Sequence, residues 1–193
     1  MIDPQLIAVA TWTKPPLAVQ STEAALTVTA REGSDAWCTT SYGFVHDDAH
    51  ALLAPFGSND AMEATFALDY DQQFDQAGLM LRASTSEWIK VGVEVSDGAP
   101  QVGAVVTHTC SDWSLAPVPQ WSGRQVTLRA SRDGDAVTVR ARVDDEPFQL
   151  VRLAYLDPAL RIAAGPYCCS PTRAGLTVSF SRWVRTPPDD TLH

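Results

Sequence analysis

The stretch that decides the fold is QFDQAGLMLRASTSEWIKVGVEVSDG, residues 73–98. Ala77, Leu79 and Leu81 alternate with other residues, and Ile89, Val91, Val93 and Val95 repeat the pattern. Side chains along a strand point to opposite faces with a period of two, so each run predicts a strand with one aliphatic face. A turn around Ser84–Ser86 predicts an antiparallel pair. In that register Arg82 faces Trp88, Met80 faces Lys90, Gly78 faces Gly92 and Gln76 faces Glu94. All eight then lie opposite the aliphatic core. A slip of one residue would exchange the two faces.

That second face is a candidate site. Glycine weakens a strand interior and often marks close approach of another chain or a ligand. Gly78 beside Gly92 therefore predicts a shallow floor. Trp88 would stack on a sugar ring there, and Gln76, Arg82, Lys90 and Glu94 would take hydroxyls. The plainer alternative is a solvated or loop-covered face with Arg82 packed over Trp88 as a cation–π pair.

The rest of the chain repeats the strand pattern. MEATFALDY (62–70), AVTVRARV (136–143), FQLVRLAYL (148–156), RIAAGPYCC (161–169) and GLTVSFSRW (175–183) all alternate. LTVTA (26–30) and VTLRA (126–130) are shorter runs of the same kind. Asp133-Gly134 and Asp97-Gly98 are hairpin signals. Many short strands with regular turns predict an all-β sandwich. The one helical signal noted is Asp157-Pro158, a cap followed by proline at the first position. No linker or repeat interrupts residues 1–193, so one domain is expected, with a core over about 10–185.

Charge and composition narrow the partners. The 193 residues carry 14 Lys and Arg against 23 Asp and Glu, a formal net charge of −9. An acidic surface repels phosphate backbones, which argues against nucleic acid. No apolar run is long enough for a membrane helix, so no membrane association is expected. The N-terminus has no basic region of the secretory type. Reduced thiols and a cytoplasmic location are the expectation for Cys38, Cys110, Cys168 and Cys169, which form no CxxC pair. Neither a metal site nor a cofactor is expected.

THTCSDWS (107–114) reads as a loop that holds His108, Asp112 and Trp113 together. A serine triad there lacks the GxSxG elbow, and a turn capped by Asp112 explains the residues as well. HDDAH (46–50) reads as an exposed loop rather than a metal site. A glycosidase needs two carboxylates about 5–5.5 Å or about 6.5–9.5 Å apart across a cleft. Glu94 is one candidate, and its strand offers no second acid on the same face, which leans away from an enzyme.

In order, FDQAGLMLR, EWIKVGVE, VVT…SDWS, RLAYL and YCCSP…GLTVSFSRW resemble the DUF1349 family, with TWTKPP and DAWCTTSYGFVHDDAHAL fitting it too. The resemblance runs from about Trp12 to Trp183. The family includes the fungal "regulation of enolase" proteins and falls within the concanavalin A-like lectin/glucanase superfamily. It implies a jelly-roll sandwich of two antiparallel sheets with one concave face. It also implies that the polar side of the opening hairpin lies on that face, where superfamily relatives bind glycans. The glutamate pair of the glycan-hydrolysing members is absent here, as is the Asp/Asn-rich metal loop of legume-type lectins.

The expectation is thus a non-catalytic module for a carbohydrate or an anionic, sugar-like ligand. Its site would be Gln76, Gly78, Arg82, Trp88, Lys90, Gly92 and Glu94, with His108 and Trp113 walling one end. A protein-interaction or regulatory module is the alternative, and a glycoside hydrolase-like enzyme a third. The deciding question is whether this face is open or covered by SYGFVHDDAHAL (41–52).

Overall fold

The structure, a computed structural model, describes residues 1–191. A short helix, α1 (Pro4–Val9), precedes the strands. In chain order these are β1 (Thr11–Trp12), β2 (Ala18–Ser21), β3 (Leu26–Thr29), β4 (Ala36–Cys38) and β5 (Val45–Asp47). Next come β6 (His50–Phe56), β7 (Ala61–Ala67), β8 (Gln76–Arg82), β9 (Glu87–Ser96), β10 (Ala99–His108) and β11 (Cys110–Pro117). The chain ends with β12 (Gln125–Asp133), β13 (Ala136–Val143), β14 (Gln149–Tyr155), β15 (Ile162–Cys169) and β16 (Thr177–Thr186).

Two seven-stranded antiparallel sheets form a sandwich. One has the order β1-β6-β15-β8-β9-β10-β11, and the other β14-β13-β12-β7-β16-β3-β2. The inward residues of both build one apolar core. The predicted aliphatic set Ala77, Leu79, Leu81, Ile89, Val91, Val93 and Val95 is all inside it, against Phe66, Phe180 and Trp183. The β8–β9 register is the one the alternation predicts: Gln76 pairs with Glu94, Gly78 with Gly92, Met80 with Lys90 and Arg82 with Trp88.

Two local readings differ. The Asp-Pro helix signal operates at Asp3-Pro4, where Asp3 caps α1 by accepting from the Gln5 amide and Leu6 is buried. At Asp157-Pro158 the same dipeptide makes only a turn, closed by the Ala159 amide on the Asp157 side chain. Strand β15 resumes five residues later and leaves no room for a helix. The second difference is THTCSDWS, which is not a loop but the end of β10, a turn at Thr109 and the start of the edge strand β11, which pairs with β10 along its whole length.

A second, smaller apolar cluster lies outside the sandwich, on the outer face of the β8–β9 sheet. The hairpin β4–β5 lies over it and supplies Trp37 and Cys38, while the sheet supplies Met80, Trp88, Val105 and Tyr167. HDDAH is therefore not a free loop. Asp47 ends the hairpin, and His50 opens β6 with its ring buried. The Arg31 amide donates to His50 Nε2, and Nδ1 lies 3.1 Å from the Lys14 carbonyl. Burial, the largest influence, pushes the His50 imidazole below its ordinary value.

Candidate functional site

The outer sheet face divides in two. Over Trp88, Met80 and Arg82 it is covered by the β4–β5 lid; over Gln76, Lys90 and Glu94 it opens into a cavity of about 320 Å³. That volume is at the small end of the usual range for ligand pockets.

The lid is held at its base by polar bonds. Arg82 Nη1 donates to Asp47 Oδ1 at 2.5 Å, tying β8 to β5. The Cys38 amide donates to Ser111 Oγ at 2.9 Å. Just before the lid, the Asp35 amide donates to Asp48 Oδ1 at 2.9 Å. Asp35 also enters the sheet face, where its Oδ1 accepts from Lys90 Nζ at 2.9 Å.

The lid changes the roles expected of several residues. Trp88 is 1% exposed and its Nε1 donates to the Thr85 carbonyl, so its ring packs under the lid and is closed to a sugar. Arg82 is committed to Asp47 rather than to Trp88 or a ligand, and does not line the cavity. His108 pairs with Glu87 at 2.8 Å and also lies away from the cavity.

The glycine floor is real but occupied. Gly78, Gly92 and Gly103 align across three strands, with Tyr167 beside Gly78 and Leu115 beside Gly103. A Cβ on Gly92 would meet the Tyr167 hydroxyl at 2.6 Å, and one on Gly103 would meet Leu115 Cδ2 at 2.7 Å. The row is a trough for these two protein side chains. Gly92 and Gly103 border a narrow recess beside the cavity, and Gly78 does not.

Of the predicted residues, Gln76, Lys90, Glu94 and Trp113 line the cavity. Trp113, 38% exposed on β11, meets Trp37 edge to face with centroids 6.0 Å apart. Tyr42 packs edge to face on Trp37 and stacks on Phe44, forming an aromatic rim from the lid. Phe74, Pro171 and Thr172 make the opposite wall. That wall is positioned by the buried Asp75, which accepts from Arg173 and Ser170. The Thr172 hydroxyl donates to the Gln73 carbonyl.

The polar floor is asymmetric. Lys90 is buried and donates to Asp35 Oδ1 and, at 2.8 Å, to Gln76 Oε1. Burial, the largest influence, disfavours its charge, but Asp35, Cys169 and Glu94 together outweigh this and the ammonium is held above its ordinary value. Asp35 Oδ1 also accepts from the Ala36 amide and from Gln76 Nε2. Glu94 has no hydrogen-bond or ion-pair partner among the described residues. Burial, partly offset by the Lys90 charge, pushes its carboxyl up to about 7.

This shift predicts a pH effect on stability. A carboxyl raised in the folded state contributes fully below its unfolded value of 4.5, and the contribution is lost as pH rises through about 7. Each pH unit corresponds to about 1.36 kcal/mol, and water in the cavity reduces the total to about 1–2 kcal/mol. Glu94→Gln should therefore be more stable than the wild type by that amount above about pH 8, with the difference vanishing near about pH 4. Urea melts of both proteins across this range provide the measurement.

The signal the sequence offered for the missing part of the site was aromatic. Trp37, Tyr42, Phe44 and His46 lie within ten residues, but nothing local says that they fold back over β8 and β9. Asp35 gave no signal either, since its partner Lys90 is 55 residues away.

Known proteins resemble this chain over most of its length. "Regulation of enolase protein 1" of Saccharomyces cerevisiae is 34% identical over 178 residues, 92% of this chain and 89% of that one. A crystal structure of a functionally unknown protein from Saccharomyces cerevisiae superposes with a TM-score of 0.89 at 33% identity, covering 94% of this chain and 98% of the other. The metal-free form of lectin I-B4 from Griffonia simplicifolia shares the fold, with a TM-score of 0.60, 14% identity and 93% of each chain covered. The family model described as "Protein of unknown function (DUF1349)" matches residues 12–188, the full sandwich with its lid, and the chain belongs to that family.

Proposed function

We propose that the protein is a single-domain, non-catalytic binding module that takes a carbohydrate or sugar-like ligand in the cavity between the lid and the β8–β9 sheet. One observation carries the reading. Exposed aromatic rings from the lid and β11 surround a hydrogen-bonding floor of Gln76, Lys90 and Glu94. Aromatic faces suit the C–H surface of a sugar, and the floor suits its hydroxyls. The sugar-binding role expected of Trp88 passes to Trp113 and the rim of Tyr42 and Phe44. Four unpaired thiols fit a reducing, cytoplasmic setting. No helix among the described residues is long and apolar enough to cross a membrane.

Calorimetric titration and a glycan array test the reading. Trp113→Ala should weaken sugar binding about ten-fold or more while leaving the fold intact, because the ring is partly exposed. Failure of the wild type to bind any sugar class would refute it. Trp88→Ala is unsuitable as a probe, since it opens a cavity beneath the lid.

A regulatory reading is favoured by the lid tip, where Tyr42, Phe44 and Val45 are 58%, 44% and 64% exposed. A partner protein gripping that tip would fit the name of the yeast relative. Mixing purified protein with enolase in analytical ultracentrifugation, with Tyr42→Ser/Phe44→Ser as control, distinguishes the two readings.

A further inference from the structure

The cavity floor offers acceptors in excess of free donors. Lys90, the cation on the floor, already donates to Asp35 and Gln76. Three donors converge on Asp35 Oδ1, from Lys90, Gln76 and the Ala36 amide, and none is recorded on Oδ2. The Glu94 carboxylate, four residues from Lys90 on the same face of β9, has no donor among the described residues. With Glu94 ionised, the two carboxylates and one ammonium leave the floor at a formal −1.

A half-buried carboxylate oxygen without a protein donor is an open acceptor, and a ligand that supplies a donor gains a charge-assisted hydrogen bond there. A ligand phosphate or carboxylate would instead meet two acids here, and Arg82 is outside the cavity on Asp47. Above the floor, the exposed faces of Tyr42, Phe44 and Trp113 add electron-rich surface, which attracts a cation rather than an anion.

We infer that the cavity selects a ligand bearing an ammonium group, in the first instance an amino sugar, whose nitrogen donates to Glu94 and Asp35 while its ring lies against the aromatic rim. This rests on the sugar-binding reading and gives it a charge. The charged and titratable groups that face Glu94 are Lys90 on its own strand, Asp35 before the lid, Tyr167 on β15 and His46 on the lid. The cation favours ionised Glu94, so its binding should release a proton near neutral pH.

The test is calorimetric titration of the full chain with D-glucosamine, D-glucose, N-acetyl-D-glucosamine and D-glucose 6-phosphate, and with the matching galactose series. The measurements are made at about pH 7 and about pH 5.5, for wild type and Glu94→Gln. The expected result is a preference of about ten-fold for the amino sugar over its parent at about pH 7. That preference should shrink at the lower pH and disappear in Glu94→Gln, where the amino sugar and its parent should bind alike. Equal binding of amino and parent sugars, or tighter binding of the acetylated or phosphorylated form, overturns the inference and leaves the sugar-binding reading standing. A preference that survives in Glu94→Gln also overturns it. Absence of binding by every sugar in both series and on the glycan array overturns both.

Discussion

Lys90→Met is expected to destabilise the protein by about 2–4 kcal/mol, the largest effect of any single polar substitution at the site. Lys90 is 4% exposed and holds Asp35 and Gln76 together on the sheet face. Methionine nearly fills the space but leaves the Asp35 carboxylate, whose side chain is 21% exposed, without its cation. Breaking one half of a buried ion pair costs more than the pair contributes, because a charge remains without compensation. Asp35 stands directly before β4, so the loss should also loosen the lid. The double variant Lys90→Met/Asp35→Asn should recover at least half of the loss, since it removes the stranded charge. Guanidinium melts of the two singles and the double give the coupling. Additive losses would show that Lys90 and Asp35 do not act as a pair.

Gly78→Ala is the second large expected effect, about 3 kcal/mol of destabilisation. A Cβ at Gly78 would lie 1.9 Å from the Val91 carbonyl oxygen and 2.6 Å from the Gly92 Cα. Both contacts are to backbone, so no side-chain rotamer relieves them, and β8 must move away from β9. The change is a single methyl group on the face away from the main core. A melting temperature within a few degrees of the wild type would mean that the close approach of the two strands is not required. By contrast, Trp113→Ala should affect binding and spare stability, which separates the rim of the cavity from its foundation.

The course of the hairpin around Gly78 and Gly92 shows how far local pattern reaches. Alternation over residues 76–82 and 88–95, with the turn at Ser84–Ser86, was enough to place seven aliphatic residues in the core and to set four cross-strand pairs, because period two decides which face is buried and the turn decides the register. Neighbouring strands follow the same rule. The edge strand β11 escaped it because CSDWSLAP is mostly exposed and does not alternate in hydrophobicity.

What lies on the other side of the hairpin was not local information. The polar face could be listed from the sequence, but not what covers it. The lid and the aspartate before it come from residues 35–47, and their contacts with Lys90, Arg82 and Ser111 span 35 to 73 positions. Those contacts turned Trp88 from a ligand platform into a packed side chain and engaged Arg82 and Lys90 with the protein's own acids. They also gathered Trp37, Tyr42 and Phe44 above Glu94. By itself, then, the sequence determined the sandwich, its register and the membership of the polar face, because hydrophobic period and turn chemistry act between near neighbours. Only the tertiary structure decided which of those polar residues remain open to a ligand, because exposure depends on what a distant segment packs against.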